Sequence, residues 1–410
     1  MSKIDDLIEE FCPEGVPSPR VGDLGSLYSG LSGKSKIDFQ DGNATYVSYL
    51  DIGNNPALPS VLMSKVRVNE KERQNSISKG DLLFTGSSED REGVGLTSEV
   101  EFDPSERVYL NSFCFGWRPN SGIFVQGFLK HLFRSYELRR DIMRCANGVT
   151  RINISKKGLL EIRIPVPPLE VQREIVSILD KFTQLEAELE AELEARRIQY
   201  EVTREMLLDF SGDLEGHPLG SLMKARGAGL VPSLPVSEIA TIKIGEFVKK
   251  TRQDPNAPYP VFNGGTTQTG FFENYNSPEN SIVISARGSI GFVNFLRSKF
   301  WAGNSCYVLR PKGDSVQTKY LYHSLKAKEG DLYALRAVGG IPALNLAPVR
   351  DFQVSVPSIE VQTEIVSTLD KLDALVNDIN FGLPAEIAAR RKQYEYYRNK
   401  LLTFKEFEAA

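Results

Sequence analysis

Two stretches of this chain repeat each other, and any fold it adopts must accommodate that. Residues 164–181 read IPVPPLEVQREIVSILDK and residues 354–371 read VSVPSIEVQTEIVSTLDK, identical at 12 of 18 positions at an offset of 190. Downstream, Arg196-Arg197-Ile198-Gln199-Tyr200 pairs with Arg390-Arg391-Lys392-Gln393-Tyr394, and Leu207-Leu208 with Leu401-Leu402, at 194. Upstream, Cys114, Arg118-Pro119, His131, Gly148 and Asn153 pair with Cys306, Arg310-Pro311, His323, Gly340 and Asn345 at 192. Val16-Pro17-Ser18 pairs with Val231-Pro232-Ser233. A chain written twice is built as two similar units. Each half is a variable block of about 125 to 150 residues followed by one block that resembles its counterpart.

The similar blocks carry a helical period. In the first, Val171, Ile175, Ile178, Phe182, Leu185, Leu189 and Leu193 recur at three- and four-residue steps, with Leu179, Tyr200 and Leu207 on the same stretch. In the second, Val361, Ile365, Leu372, Leu375, Ile387, Tyr394, Tyr397, Leu401 and Phe404 fall mostly on such steps. A narrow apolar stripe with Glu, Lys and Arg elsewhere predicts long helices packed lengthwise. Pro167-Pro168 and Pro357 stand at the starts, where proline is tolerated. Gly382-Leu383-Pro384 predicts a kink or short break in the second helix. In the variable blocks, runs such as Ala44 to Leu50, Asp81 to Thr85 and Ser281 to Ser285 predict strands between Gly, Asn and Ser turns. Helices are expected near 125–145 and 318–330. The fold class is α+β, with two similar domains separated by two long antiparallel coiled-coil helices.

Charge follows the same division. Residues 16–166 hold 20 Lys and Arg against 17 Asp and Glu, and residues 231–355 hold 14 against 9, whereas 168–210 hold 5 against 11 and 358–410 hold 7 against 9. The net charge of −4 excludes a protein that coats nucleic acid, but two locally positive blocks are compatible with phosphate contacts. The four cysteines and three histidines are scattered, so neither a disulfide framework nor a metal site is expected. No apolar run reaches the roughly 18 residues of a membrane span, and the opening residues are too polar for a secretory signal. A cytoplasmic location is expected.

Catalytic signatures are missing. No acid-x-Lys triplet of a magnesium-dependent nuclease occurs. Neither Pro167-Pro168-Leu169 nor Asn54-Asn55-Pro56-Ala57 matches the Asn/Asp-Pro-Pro-aromatic loop of an adenine methyltransferase. Gly30-Leu31-Ser32-Gly33-Lys34-Ser35 lacks the leading glycine of a phosphate loop, since Tyr28 stands there. His131 and His323, at matching positions, read as packing residues. No catalytic residue and no metal ligand is assigned.

Two variable domains, each followed by a PPLEVQREIVSILDK- or PSIEVQTEIVSTLDK-type helix, resemble the specificity subunits of Type I restriction–modification systems. The endings ARRIQYEVTREMLL and AARRKQYEYYRNKLLTF, and the early Phe11-Cys12-Pro13-Glu14-Gly15-Val16, fit the same pattern. The resemblance covers essentially the whole chain. It implies a first target-recognition domain over 1–166, a central conserved helix over 167–212, a linker over 213–230, a second target-recognition domain over 231–356 and a distal conserved helix over 357–410. It implies a non-catalytic subunit that binds a bipartite, asymmetric target on double-stranded DNA. Two methyltransferase subunits and motor-nuclease subunits would be its partners, with S-adenosylmethionine, ATP and magnesium bound by them and not by this chain.

Base readout needs polar side chains on exposed loops. In the second domain these are Asn263 and Thr266, then Arg287 and Ser289, with Lys249, Lys250 and Arg252 for the backbone. In the first they are Ser87, Ser88 and Arg91, with Lys34, Lys36 and Arg151. Each is otherwise an ordinary solvated surface group. Asn153 and Asn345, shared by both halves, read as structural. The Leu-Glu-Ala-Glu repeat over 185–195 is either a good helix former or a ruler. Four helical residues add about 6 Å and about 40° of twist, close to one or two base-pair steps of about 3.4 Å. Deleting one unit should therefore shorten the recognised spacer by about one or two base pairs; an unchanged spacer contradicts the ruler. The rival reading is a coiled-coil scaffold that joins protein partners without DNA.

Overall fold

The computed structural model describes residues 3–69, 71–212, 215–225, 231–378 and 380–407. It divides into two compact units, residues 1–188 with 387–410 and residues 189–386. The repeat fills both with one plan. In the first unit a four-stranded antiparallel sheet runs in the order Gly25–Ser29, Cys114–Pro119, Leu82–Thr85, Thr97–Glu99. In the second the order is Ala240–Ile244, Cys306–Pro311, Ser281–Ser285, Val293–Leu296. Register agrees residue for residue: Thr85 lies opposite Cys114 and Ser285 opposite Cys306. Leu82-Leu83-Phe84 and Ile282-Val283-Ile284 are buried throughout, as central strands covered on both faces must be. A smaller mixed sheet accompanies each: Ala44–Val47 runs parallel to Val108–Leu110, and Tyr259–Phe262 parallel to Trp301–Ala302.

Three helices carry the similar blocks: α1 (Leu169–Leu208), α2 (Ile359–Asn377) and α3 (Leu383–Leu401). The break between α2 and α3 falls at 378–382, where Gly382 leaves no room for a side chain: a Cβ there would lie 2.6 Å from the Ala374 carbonyl. In the first unit α1 and α3 run antiparallel, since Phe182 stacks on Tyr397 and Glu186 takes Arg391. Ile175 and Leu179 are fully buried in the core built by Phe84, Phe115, Trp117 and Phe133, with Tyr394 and Leu401 packed at its edge. In the second unit Ile365, Leu369 and Tyr200 enter the equivalent core, and Leu372 packs against it. Each fully buried Ile or Leu contributes about 1.5–3 kcal/mol. The apolar stripe therefore holds each domain to its helices as well as helix to helix. Leu189 is half-buried.

The repeated Val-Gln and Leu-Asp-Lys positions explain themselves in these contacts. Gln172 is fully buried; its Oε1 accepts from the Val125 amide at 2.9 Å, and its Nε2 donates to the carbonyls of Ile123 (3.0 Å) and Pro167 (2.8 Å). Gln362 does the same with the Gln317 amide and the carbonyls of Ser315 and Pro357, each at 2.9 Å. One amide side chain thus satisfies three backbone groups of a loop that reaches the helix start. Two turns later, Asp180 accepts from His131 Nε2 at 2.8 Å and Lys130 at 2.9 Å. Asp370 accepts from Lys319 at 2.5 Å, with His323 Nε2 at 3.5 Å. Arg204 lies over Tyr200 and Arg398 over Tyr394, both 5.2 Å from the ring centre.

Three local outcomes differ from the sequence expectation. The strand begun at Ala44 ends at Val47, because Ser48 and Asp51 form a reciprocal cap that starts the helix Tyr49–Asn54. Within the stretch read as a linker, Gly220–Ala225 is helical and Met223 is buried in the second core; 213–214 and 226–230 lie outside the described residues. The pairing of Asn153 with Asn345 slips by two. Asn345 holds the N-cap position of the helix Leu346–Asp351 without a side-chain bond. The residue at that position of the matching helix Lys156–Glu161 is Ser155, whose hydroxyl accepts from the Gly158 amide.

His131 is buried, and its Nδ1 lies 2.9 Å from the Tyr394 hydroxyl. In the neutral ring that burial favours, Nε2 donates to the ionised Asp180 and Nδ1 accepts from the Tyr394 hydroxyl. Burial holds its pKa below the ordinary histidine value. Asp180 stays below the ordinary aspartate value because hydrogen bonds from His131 and Lys130 outweigh burial. A depressed histidine binds fewer protons folded than unfolded, so its contribution is full above about pH 6.5 and is lost as pH falls.

Two outcomes follow. Gln172→Ala should cost the first unit about 2–4 kcal/mol, because it orphans an amide and two carbonyls. Urea denaturation read by Trp117 fluorescence in a Trp301→Phe background measures it; a loss under about 0.5 kcal/mol would mean water replaces the side chain. The stability of the wild type relative to His131→Gln should be flat above about pH 6.5 and shrink below it. A difference that does not change with pH contradicts a neutral, desolvated His131.

Candidate nucleic-acid interface

The central sheet of each unit ends in a cleft between two loops. In the first unit the wall after strand Leu82–Thr85 begins at Gly86, whose amide donates to the Phe113 carbonyl at 2.9 Å. Its carbonyl accepts from the Ile154 amide at 3.0 Å, and Ser87 lies opposite Asn153. In the second unit Ala286 takes both places, donating to Ser305 at 2.8 Å and accepting from Leu344 at 2.8 Å. The facing wall is a short hairpin, closed by Asn147 opposite Asn153 in one unit and Ala337 opposite Ala343 in the other.

Several side chains singled out from sequence converge here. In the first unit Ser87 and Arg151 line the cleft. The Arg151 guanidinium lies 4.3 Å from the centre of the Phe113 ring, which is itself half exposed. In the second, Arg287 is exposed on the loop, and Ser289 donates its amide to the Gly264 carbonyl at 2.8 Å. Gly264 has a left-handed φ of 82°, and a Cβ there would lie 2.3 Å from the Arg287 carbonyl, so only glycine lets these loops touch. Asn263 Oδ1 accepts from the Ser305 amide at 3.3 Å, which brings Asn263, Ser289 and Arg287 together. Burial raises the Tyr307 pKa, and the Arg287 charge partly opposes it, placing that charge at the cleft floor.

Other candidates sit apart. Lys249, Lys250 and Arg252 are exposed around the short helix Lys250–Arg252, with Arg252 5.3 Å from the Phe272 ring centre. Thr266 is exposed at the turn of the hairpin leading to Gly270–Phe272. Ser88 accepts from the Asp90 amide at 3.3 Å, and Arg91 is exposed further along that loop. Lys36 is exposed at the start of Lys36–Phe39. The Lys34 side chain is 4% exposed, its Nζ 2.5 Å from Glu72.

Sequence reasoning passed over Lys156 and Lys299. Lys156 lines the first cleft, donates to Ser29 Oγ at 3.1 Å and lies 5.3 Å from the Phe115 ring centre. Its counterpart in the other half is Leu346, so the repeat gave no signal for it. Lys299 lies 4.7 Å from the Tyr275 ring centre. The cleft cysteines are not nucleophiles: burial pushes Cys114 up to about 12 and Cys306 to about 11. Among the described residues, no group of three or more His, Cys, Asp or Glu is placed to hold a metal ion, and no helix is long and apolar enough to cross a membrane.

Such clefts can offer hydrogen-bond donors and cations to a polyanion. Residues 13–195 and 233–389 match the model of the Type I restriction modification DNA specificity domain. The chain is 33% identical over 361 residues to a putative type I restriction enzyme specificity subunit of Haemophilus influenzae, covering 79% of this chain and 89% of that one. It is 34% identical over 272 residues to the Type I restriction enzyme EcoR124I/EcoR124II specificity subunit of Escherichia coli, covering 61% of this chain and 65%, just under two thirds, of that one. In fold it is similar to the S subunit of a Type I restriction–modification system from M. genitalium, with a TM-score of 0.57, 18% identity, and 94% and 96% of the two chains covered. A structure of type I R-M complex assembly also matches, with a TM-score of 0.59, 19% identity, and 95% and 98% covered.

Proposed function

The chain belongs to the Type I restriction–modification DNA specificity family, and we propose that it reads a bipartite, asymmetric target on duplex DNA without itself catalysing a reaction. The observation that carries this is a division of labour inside the repeat. The residues that bind a domain to its helices recur in both halves: Gln172 and Gln362 make the same three hydrogen bonds, and Asp180 and Asp370 each face a lysine and a histidine. The side chains at the open clefts differ: Ser87, Arg151 and Lys156 in one, Arg287, Ile341 and Leu346 in the other. A scaffold for two identical partners has no use for unlike clefts, whereas two different half-sites demand them.

Partners follow from the resemblance. Two methyltransferase subunits would dock on the like helical faces, carrying S-adenosylmethionine, and motor-nuclease subunits would bring ATP and magnesium. The assembly would work in the cytoplasm. The Leu-Glu-Ala-Glu repeat over 185–195 falls across the boundary between the two units, where a change in helix length would alter the spacer.

Co-expression with a Type I modification subunit, followed by mapping of N6-methyladenine across the host genome, tests the reading. One bipartite motif with a fixed spacer, dependent on this chain, is expected. A copurifying, soluble complex that protects no sequence in a duplex-binding assay would favour the scaffold instead.

A further inference from the structure

The two clefts can be superposed position by position, and the superposition exposes an exchange. Gly86 and Ala286 hold the same place, as both make the same pair of backbone hydrogen bonds. The next residue on that wall is Ser87 in the first unit and Arg287 in the second. The facing hairpins are equally long: six steps separate Asn147 from Asn153 and Ala337 from Ala343. Four positions in from the start stands Arg151 in the first unit and Ile341 in the second. At these two aligned positions the arginine is supplied by the hairpin in one unit and by the opposite loop in the other.

Both arginines are exposed. Neither makes a hydrogen bond through its side chain among those recorded for the described residues, whereas Arg118 is fixed on Asp81 at 2.7 Å and Arg134 on the Thr97 carbonyl at 2.6 Å. Arg151 rests on the Phe113 ring, which orders the guanidinium without using its donors. The Arg287 loop is anchored two residues on, where the Ser289 amide donates to the Gly264 carbonyl at 2.8 Å. At the partner positions Ser87 is buried and short and Ile341 has no side-chain donor, while Asn153 donates to the Arg151 carbonyl at 3.3 Å. Lys156 is a point charge already engaged with Ser29. Arg91 does not line the cleft.

We infer that Arg151 and Arg287 are the specificity-determining base readers, one for each half-site, each gripping a guanine from opposite walls of the same cleft. A free guanidinium fork matches paired acceptors, and guanine alone shows two, O6 and N7, on its major-groove edge. Because the fork enters from opposite sides, the guanine it reads sits differently in the two half-sites. Unlike targets thus arise from one scaffold by moving one arginine across the cleft. This rests on the DNA-recognition reading above.

The test uses the chain assembled with its modification subunit and duplexes carrying the mapped target, with each guanine replaced in turn by 7-deazaguanine, which lacks N7. At fixed salt, wild-type binding should weaken about tenfold at one guanine in each half-site. Arg287→Ala should lose sensitivity at its guanine alone, and Arg151→Ala at the one in the other half-site. Arg287→Lys and Arg151→Lys, whose ammonium can still donate to O6 and N7 but lacks the planar fork, should keep part of the sensitivity that the alanine variants lose. If both alanine variants keep full 7-deazaguanine sensitivity while the wild type still selects its target, the inference is overturned and the function stands. A wild-type assembly that shows no preference for any duplex overturns both.

Discussion

A buried glutamine side chain at the start of each conserved helix is the contact on which the architecture depends. An amide has one acceptor and two donor hydrogens, and the fully buried Gln172 and Gln362 each spend them on three backbone groups. The loop before the first domain helix, the proline turn that opens α1 or α2, and the helix itself are joined at one point. Asp180 and Asp370 repeat the fastening two turns further on. Apolar burial supplies most of the energy, but apolar contacts alone would let a helix slide or rotate. Directional bonds at two heights set its register against the sheet.

That fastening separates what must stay constant from what is free to vary. The sheet order, the strand register and the clamp residues are common to both units. Loops at the open end of the sheet are under no such restraint: the wall between Thr85 and Gly95 is four residues longer than the one between Ser285 and Gly291. Recognition side chains can therefore change without disturbing the core, as rigid scaffolds with variable loops permit.

Much of this could be read from the residues. The repeat, the helical period, the break at Gly382 and the α+β character of the variable blocks follow from local pattern. Ser87, Arg151, Asn263, Arg287 and Ser289 could be named one by one as polar surface candidates, but that they meet at a cleft in each unit is set by contacts far apart in sequence. What escaped depends on distance along the chain. Lys34 meets Glu72, a pairing no local window contains. The cap at Ser48 and Asp51 overrode a β-branched run because two reciprocal hydrogen bonds outweigh propensity. The Asn153–Asn345 pairing slipped because the chain takes 16 steps from His131 to Asn147 but 14 from His323 to Ala337. Lys156 had no counterpart to flag it.

The central claim is that the two units are interchangeable readers on a common frame. The equivalent bonds from Val21 to Ile162 and from Val236 to Phe352 mark where one domain can replace the other. Substituting residues 21–162 for 236–352 and mapping methylation by the assembled complex tests the claim most directly. The account predicts a target whose two halves are both the first half-site, with the spacer unchanged. A motif that still contains the original second half-site would contradict it.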